Sequence, residues 1–115
     1  MTPLPPDRFE VEVSKAIDLL PKELSDLMDN VIVVVEDRNL EEPDLLGLYE
    51  GLPLTDRDGY GLFDLPDRIS IYREALCDYC ETHDALVDEI RITVIHEVAH
   101  HFGIDDDRLE ELGWD

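Results

Sequence analysis

His96 and His100 stand four residues apart, and Glu97 follows the first of them directly. At about 3.6 residues per turn, two histidines at this spacing share one face of a helix and can reach the same ion. Each offers a neutral imidazole nitrogen, a common ligand for zinc. Glu97 then stands beside the first ligand, where it can take a proton from water. H-E-x-x-H is therefore a pattern with a chemistry: two ligands and a general base on one helix, suited to activating water for attack on a carbonyl.

The pattern continues to H-E-x-x-H-x-x-G-x-x-D through Gly103 and Asp106. Glycine permits the backbone to turn sharply, so that the returning chain can present the Asp106 carboxylate as a third ligand. A catalytic zinc commonly takes three protein ligands and keeps its fourth position for water. Asp105 and Asp107 are alternative carboxylates, and any of the three could instead cap a helix. By composition alone, a bare H-E-x-x-H arises somewhere in such a chain with a chance of roughly one or two in a hundred. Requiring the glycine and the aspartate as well lowers this to about one in ten thousand. His101 points about 100° around the helix from His100 and reads as a supporting or surface histidine, not a ligand.

Two further groups could carry chemistry. Cys77, Cys80 and His83 form C-x-x-C-x-x-H, a spacing that could hold a soft metal or act as a redox pair. No matching second C-x-x-C accompanies it, so the plainer reading is two reduced cysteines near a helix start. Tyr49, Tyr60 and Tyr72 are candidate hydrogen-bond donors to an oxyanion, or core and strand tyrosines.

The elements that must position these residues follow from periodicity. Phe9, Val13, Ala16, Ile17 and Leu20 keep a helical rhythm. Pro21 then suits the first turn of a short second helix carrying Leu24, Leu27 and Met28. Val31-Ile32-Val33-Val34-Val35 reads as a buried central strand, and Leu46–Gly51 as a short strand whose edge could pair with an extended peptide or simply be blunted by Glu50. Arg68–Arg73 alternates like a half-buried strand. A long helix from about Asp84 to Phe102 buries Leu86, Val87, Ile90, Val94, Ala99 and Phe102, with Gly103 as its left-handed cap. Asp107-Arg108-Leu109-Glu110 resembles a capping pattern that opens a last helical turn. Residues 1–8 form a Pro-rich flexible N-terminus, and residues 9–115 form one domain.

Nine Lys+Arg against thirty Asp+Glu leave a net charge of −21. Such a charge repels nucleic-acid phosphates and anionic membrane surfaces, which argues against a nuclease and against nucleic-acid or membrane partners. No basic, apolar leader opens the chain and no run approaches the roughly 18 apolar residues of a membrane span, so the expected location is the cytoplasm. Two cysteines three apart are no disulfide framework.

With these residues set out, the chain resembles the zincin metallopeptidases, and most closely the small bacterial single-domain group called minimal zincins. The resemblance rests on Leu48–Gly51, Pro66–Tyr72, Thr93–Asp106 and Glu111–Trp114. It implies an α+β domain, with a small mixed sheet packed on the N-terminal helix and on the H-E-x-x-H helix. It further implies zinc on His96, His100 and Asp106, with Glu97 as base. The chain departs from the larger metzincin pattern. Its third ligand would be Asp in place of His, and both methionines, Met1 and Met28, precede the motif, so no methionine turn can lie beneath the metal. The expected function is zinc-dependent hydrolysis of a peptide or protein substrate. The alternative is a zinc-stabilised binding or regulatory protein with little turnover.

Overall fold

The computed structural model describes residues 3–26, 31–50 and 67–113. In chain order its elements are α1 (Pro6–Asp18), α2 (Lys22–Ser25), β1 (Val31–Glu36), β2 (Gly47–Glu50), β3 (Asp67–Tyr72), α3 (Arg73–Tyr79), α4 (His83–His101) and α5 (Asp106–Leu112). Among the described residues, five helices and a small mixed sheet place the chain in the α+β class. Pro6 opens α1 inside the segment read as a flexible N-terminus, because proline at a first helical position lacks only an N–H that would have had no helical partner. Of the residues expected on the second helix, Leu24 is buried, while Leu27 and Met28 lie outside the described residues.

The strand order is β1-β3-β2. β1 runs parallel to β3 with Val31 opposite Asp67, and β2 runs antiparallel to it with Tyr49 opposite Ile69. This exchanges two expected roles. The valine-rich β1 is an edge strand among the described residues and only half-buried, whereas β3 is central and buried on both faces through Ile69 and Ile71 on one side and Ser70 and Tyr72 on the other. Alternation in β3 misled because its polar members are small or satisfied: Tyr72 Oη, for instance, accepts from Asn39 Nδ2 at 3.0 Å. Unbroken β-branching in β1 reflects strand propensity more than depth.

One core joins the layers. Phe9 and Val13 of α1, Ile69 and Ile71 of β3, Leu76 of α3, and Leu86, Ile90, Val94 and Val98 of α4 form a continuous buried cluster. α4 starts at an N-cap, Thr82, whose side chain accepts from the Ala85 N–H at 3.1 Å. Arg73 ties the far end of β3 to the chain's beginning, donating to the Leu4 carbonyl at 2.9 Å and to Asp37 at 3.1 Å.

β2 approaches α4 so closely that glycine is needed at position 47. A Cβ there would lie 2.7 Å from Thr93 Cγ2 and 3.1 Å from Glu97 Cγ. Thr93 is buried and, being β-branched, has little freedom to yield. Replacement Gly47→Ala is expected to destabilise the protein by about 1–3 kcal/mol in urea unfolding, as overpacking does. Adding Thr93→Ser, which deletes the obstructing methyl, should recover part of that loss. A Gly47→Ala protein as stable as the wild type would show that strand and helix are not packed this tightly.

Candidate active site

The rotational setting of α4 decides which of its residues can do chemistry. Counted from buried Val94 at about 100° per residue, Glu97 lies about 60° from the buried line, while His96 and His100 lie about 160° and 120° from it. The nearer residue is the more buried: the side chain of Glu97 is 13% exposed, against 36% for His96 and 45% for His100. The two imidazoles are nearly parallel, with planes 10° apart and centroids separated by 6.4 Å.

Gly103 ends α4 with φ 73°, the left-handed conformation expected of it. Around it the Ile104 N–H donates to the Ala99 carbonyl at 2.9 Å and the Gly103 N–H to the His100 carbonyl at 3.0 Å. This pair of bonds is a Schellman closure, which satisfies the last carbonyls of the helix and reverses the chain. Asp105 comes next and caps α5, its Oδ1 accepting from the Arg108 N–H at 2.9 Å. The cap therefore sits two residues before the Asp107 position suggested by the capping pattern, because the tight reversal leaves no spacer. Asp106, the first residue of α5, turns back over α4 instead. Its Oδ1 lies 3.9 Å from His96 Nε2 and 4.0 Å from His100 Nε2. Buried Leu109 anchors α5 behind it.

Two imidazole nitrogens thus face one carboxylate oxygen, and a donor set of this chemistry suits zinc. Zinc bonds of 2.0–2.1 Å in tetrahedral geometry put neighbouring donors about 3.3 Å apart. The two edges from Asp106 Oδ1 to the imidazoles, at 3.9 and 4.0 Å, exceed that spacing by roughly 0.6 Å. Among the described residues no group of three or more His, Cys, Asp or Glu side chains is gathered closely enough to hold a metal ion as it stands. An open hollow of about 420 Å³, bordered by Tyr49, His100, Gly103, Ile104, Asp105 and Asp106, adjoins these donors.

Glu97 occupies the recess beneath. Burial pushes its carboxyl above the ordinary glutamate range, while His100, the Tyr49 backbone N–H that donates to it, and His96 all pull the other way. Glu97 Oε2 is 3.6 Å from His100 Nδ1, so His100 turns Nε2 toward Asp106 and Nδ1 toward Glu97. A recessed carboxylate with heightened proton affinity beside a set of metal donors is equipped to accept a proton from water.

His101 is neither a ligand nor a surface residue. Its side chain is 1% exposed and its Nδ1 lies 2.8 Å from Oδ2 of buried Asp67. Tyr49 Oη donates to the same carboxylate oxygen at 3.0 Å. Asp67 lies in the Pro66–Tyr72 block but carries no local signal of a role of its own, whereas the burial of His101 is legible in the sequence, since it extends the buried series Leu86, Ile90, Val94, Val98 by three residues. Of the tyrosines weighed as oxyanion donors, Tyr72 is engaged with Asn39, Tyr49 with Asp67, and Tyr60 lies outside the described residues. Cys77 and Cys80 are unpaired and buried in the core cluster, with the Cys80 thiol pushed up by burial. His83 is exposed at the start of α4, so these three residues do not share one environment.

No helix among the described residues is long and apolar enough to cross a membrane. No curated protein matches the chain significantly. A family model described as zincin-like metallopeptidase matches residues 28–114, which include β1, β2, β3, the whole of α4, and α5 with its capping turn. That span is most of the chain and holds every residue of the site just described. The chain belongs to the zincin-like metallopeptidase family.

Proposed function

We propose that the protein is a zinc-dependent peptidase in which His96, His100 and Asp106 hold the metal and Glu97 is the general base. The observation that carries this reading is the convergence of two Nε2 atoms on one oxygen of Asp106, at 3.9 and 4.0 Å, above a recessed glutamate. A zinc ion bound by those donors supplies a Lewis acid, which raises the acidity of water and polarises a carbonyl. Glu97 takes the proton from water and, once protonated, can return it to the departing amine. Its raised proton affinity suits both halves of that exchange. β2, an edge strand among the described residues, lies against Glu97 through Gly47 and Tyr49 and offers an extended peptide a backbone to pair with.

Protein purified without chelators should carry about one zinc per chain by elemental analysis, as a three-ligand site implies. Asp106→Ala should weaken zinc binding by more than the roughly 10–100-fold that loss of an outer-shell partner costs. Asp105→Ala should keep the metal and lose about 1 kcal/mol of stability as a helix cap. Equal zinc affinity in wild type and Asp106→Ala would remove Asp106 from the ligand set.

Glu97→Gln tests the base separately. It should retain fold and zinc yet lower turnover of a cleaved peptide, found by library screening, by about 10²- to 10⁴-fold. Full turnover in the zinc-loaded variant would overturn the assignment. Tight zinc binding by a wild type that cleaves nothing in the library would favour a zinc-stabilised binding protein.

A further inference from the structure

Asp67 is a buried carboxylate outside the proposed ligand set. It opens the central strand β3, and its side chain is 6% exposed. Its Oδ2 accepts a hydrogen bond from Tyr49 Oη of β2 at 3.0 Å and lies 2.8 Å from His101 Nδ1 of α4. The rings of Tyr49 and His101 meet edge to face at 5.5 Å, and Phe102 stacks edge-on against His101 at 4.5 Å. One carboxylate oxygen therefore joins the edge strand and the last turn of the helix.

Both partners of Asp67 lead directly to the chemistry. The Tyr49 side chain is held by Asp67, and the backbone N–H of the same residue donates to the Glu97 carboxylate. His101 adjoins His100 in the chain, so holding His101 against β3 sets the turn of α4 that carries His100. We propose that Asp67 is a positioning residue for the site, setting Glu97 through Tyr49 and His100 through His101; the metal half of this proposal rests on the zinc reading above. Apolar contacts would hold strand and helix together as firmly, but they can slide. A shared, buried hydrogen-bond acceptor has one satisfied geometry. The close approach at Gly47 sets how near β2 comes to α4, and the Asp67 cluster sets its register along the helix.

Two variants test this. Asp67→Asn keeps the volume, and Tyr49→Phe deletes only the hydroxyl while keeping the backbone amide; the milder Tyr49→Phe carries the test if Asp67→Asn fails to fold. The first measurement is hydrogen exchange at the residue-49 amide in zinc-free protein, compared with the Val94 amide in the middle of α4. Both variants should exchange at residue 49 about 10-fold faster relative to Val94, because the N–H no longer stays on Glu97. The second is zinc affinity of the folded protein by chelator competition, expected to fall by about 10-fold or more. A merely structural cluster would lower the unfolding temperature and leave the exchange ratio and zinc affinity at wild-type values, which would overturn the proposal. Exchange is read without zinc, so the two readings fail separately. A wild type with no zinc affinity removes the metal assignment, whereas unchanged residue-49 exchange in the folded variants removes the role of Asp67 alone.

Discussion

The rotational setting of α4 is the constraint on which the rest depends. This helix has apolar residues on more than one side, and a different choice of buried line would put other side chains in the open. Burial of Leu86, Ile90, Val94, Val98 and His101 fixes the choice. It sends His96 and His100 outward and leaves Glu97 at the boundary, where it is desolvated without being sealed. The same packing that stabilises the core therefore assigns the roles on the helix surface.

Two backbone devices complete the arrangement, and neither works through side-chain chemistry of its own. Glycine at 47 removes the atom that would hold the edge strand away from Thr93 and Glu97. Glycine at 103 adopts a left-handed turn and, with the Schellman closure, brings Asp106 back over the helix within a few residues. The geometry also separates three consecutive aspartates by role. Asp105 is committed to capping, and Asp106 faces the imidazoles at 3.9 and 4.0 Å. Asp107 lies in the exposed first turn of α5, where its charge meets the positive end of the helix dipole.

The charge of −21 gains a structural reading here. Most carboxylates lie on the surface, and several are matched locally: Arg38 meets Asp78 and Glu74, Arg73 meets Asp37, and Arg68 meets Glu36. Asp67 and Glu97 differ from these because they are withdrawn from water, and each is placed against named donors. Carboxylates that look alike in composition are thus sorted by burial into solvating groups and groups withdrawn from water against specific partners.

Much of this was legible in the residue order because it depends on local geometry. Helical periodicity, a cap, a left-handed glycine and the i, i+4 placement of two histidines all act within a few residues, so α1, α4 and the turn at Gly103 could be read directly. Rank within the sheet could not. The valine run of β1 looked central and is an edge strand among the described residues, since propensity records how a strand is built and not how many neighbours it receives. The residue order put Asp106 first among three candidate carboxylates but could not exclude Asp105 or Asp107, because that depends on which carboxylate the reversal uses as its cap. The meeting of Asp67, Tyr49 and His101 spans three separate elements and was invisible to any local rule. The sequence by itself determined the set of reactive groups and the helix that carries them. Tertiary structure alone decided their burial, their partners and their distances, because those are properties of surfaces brought together from distant parts of the chain.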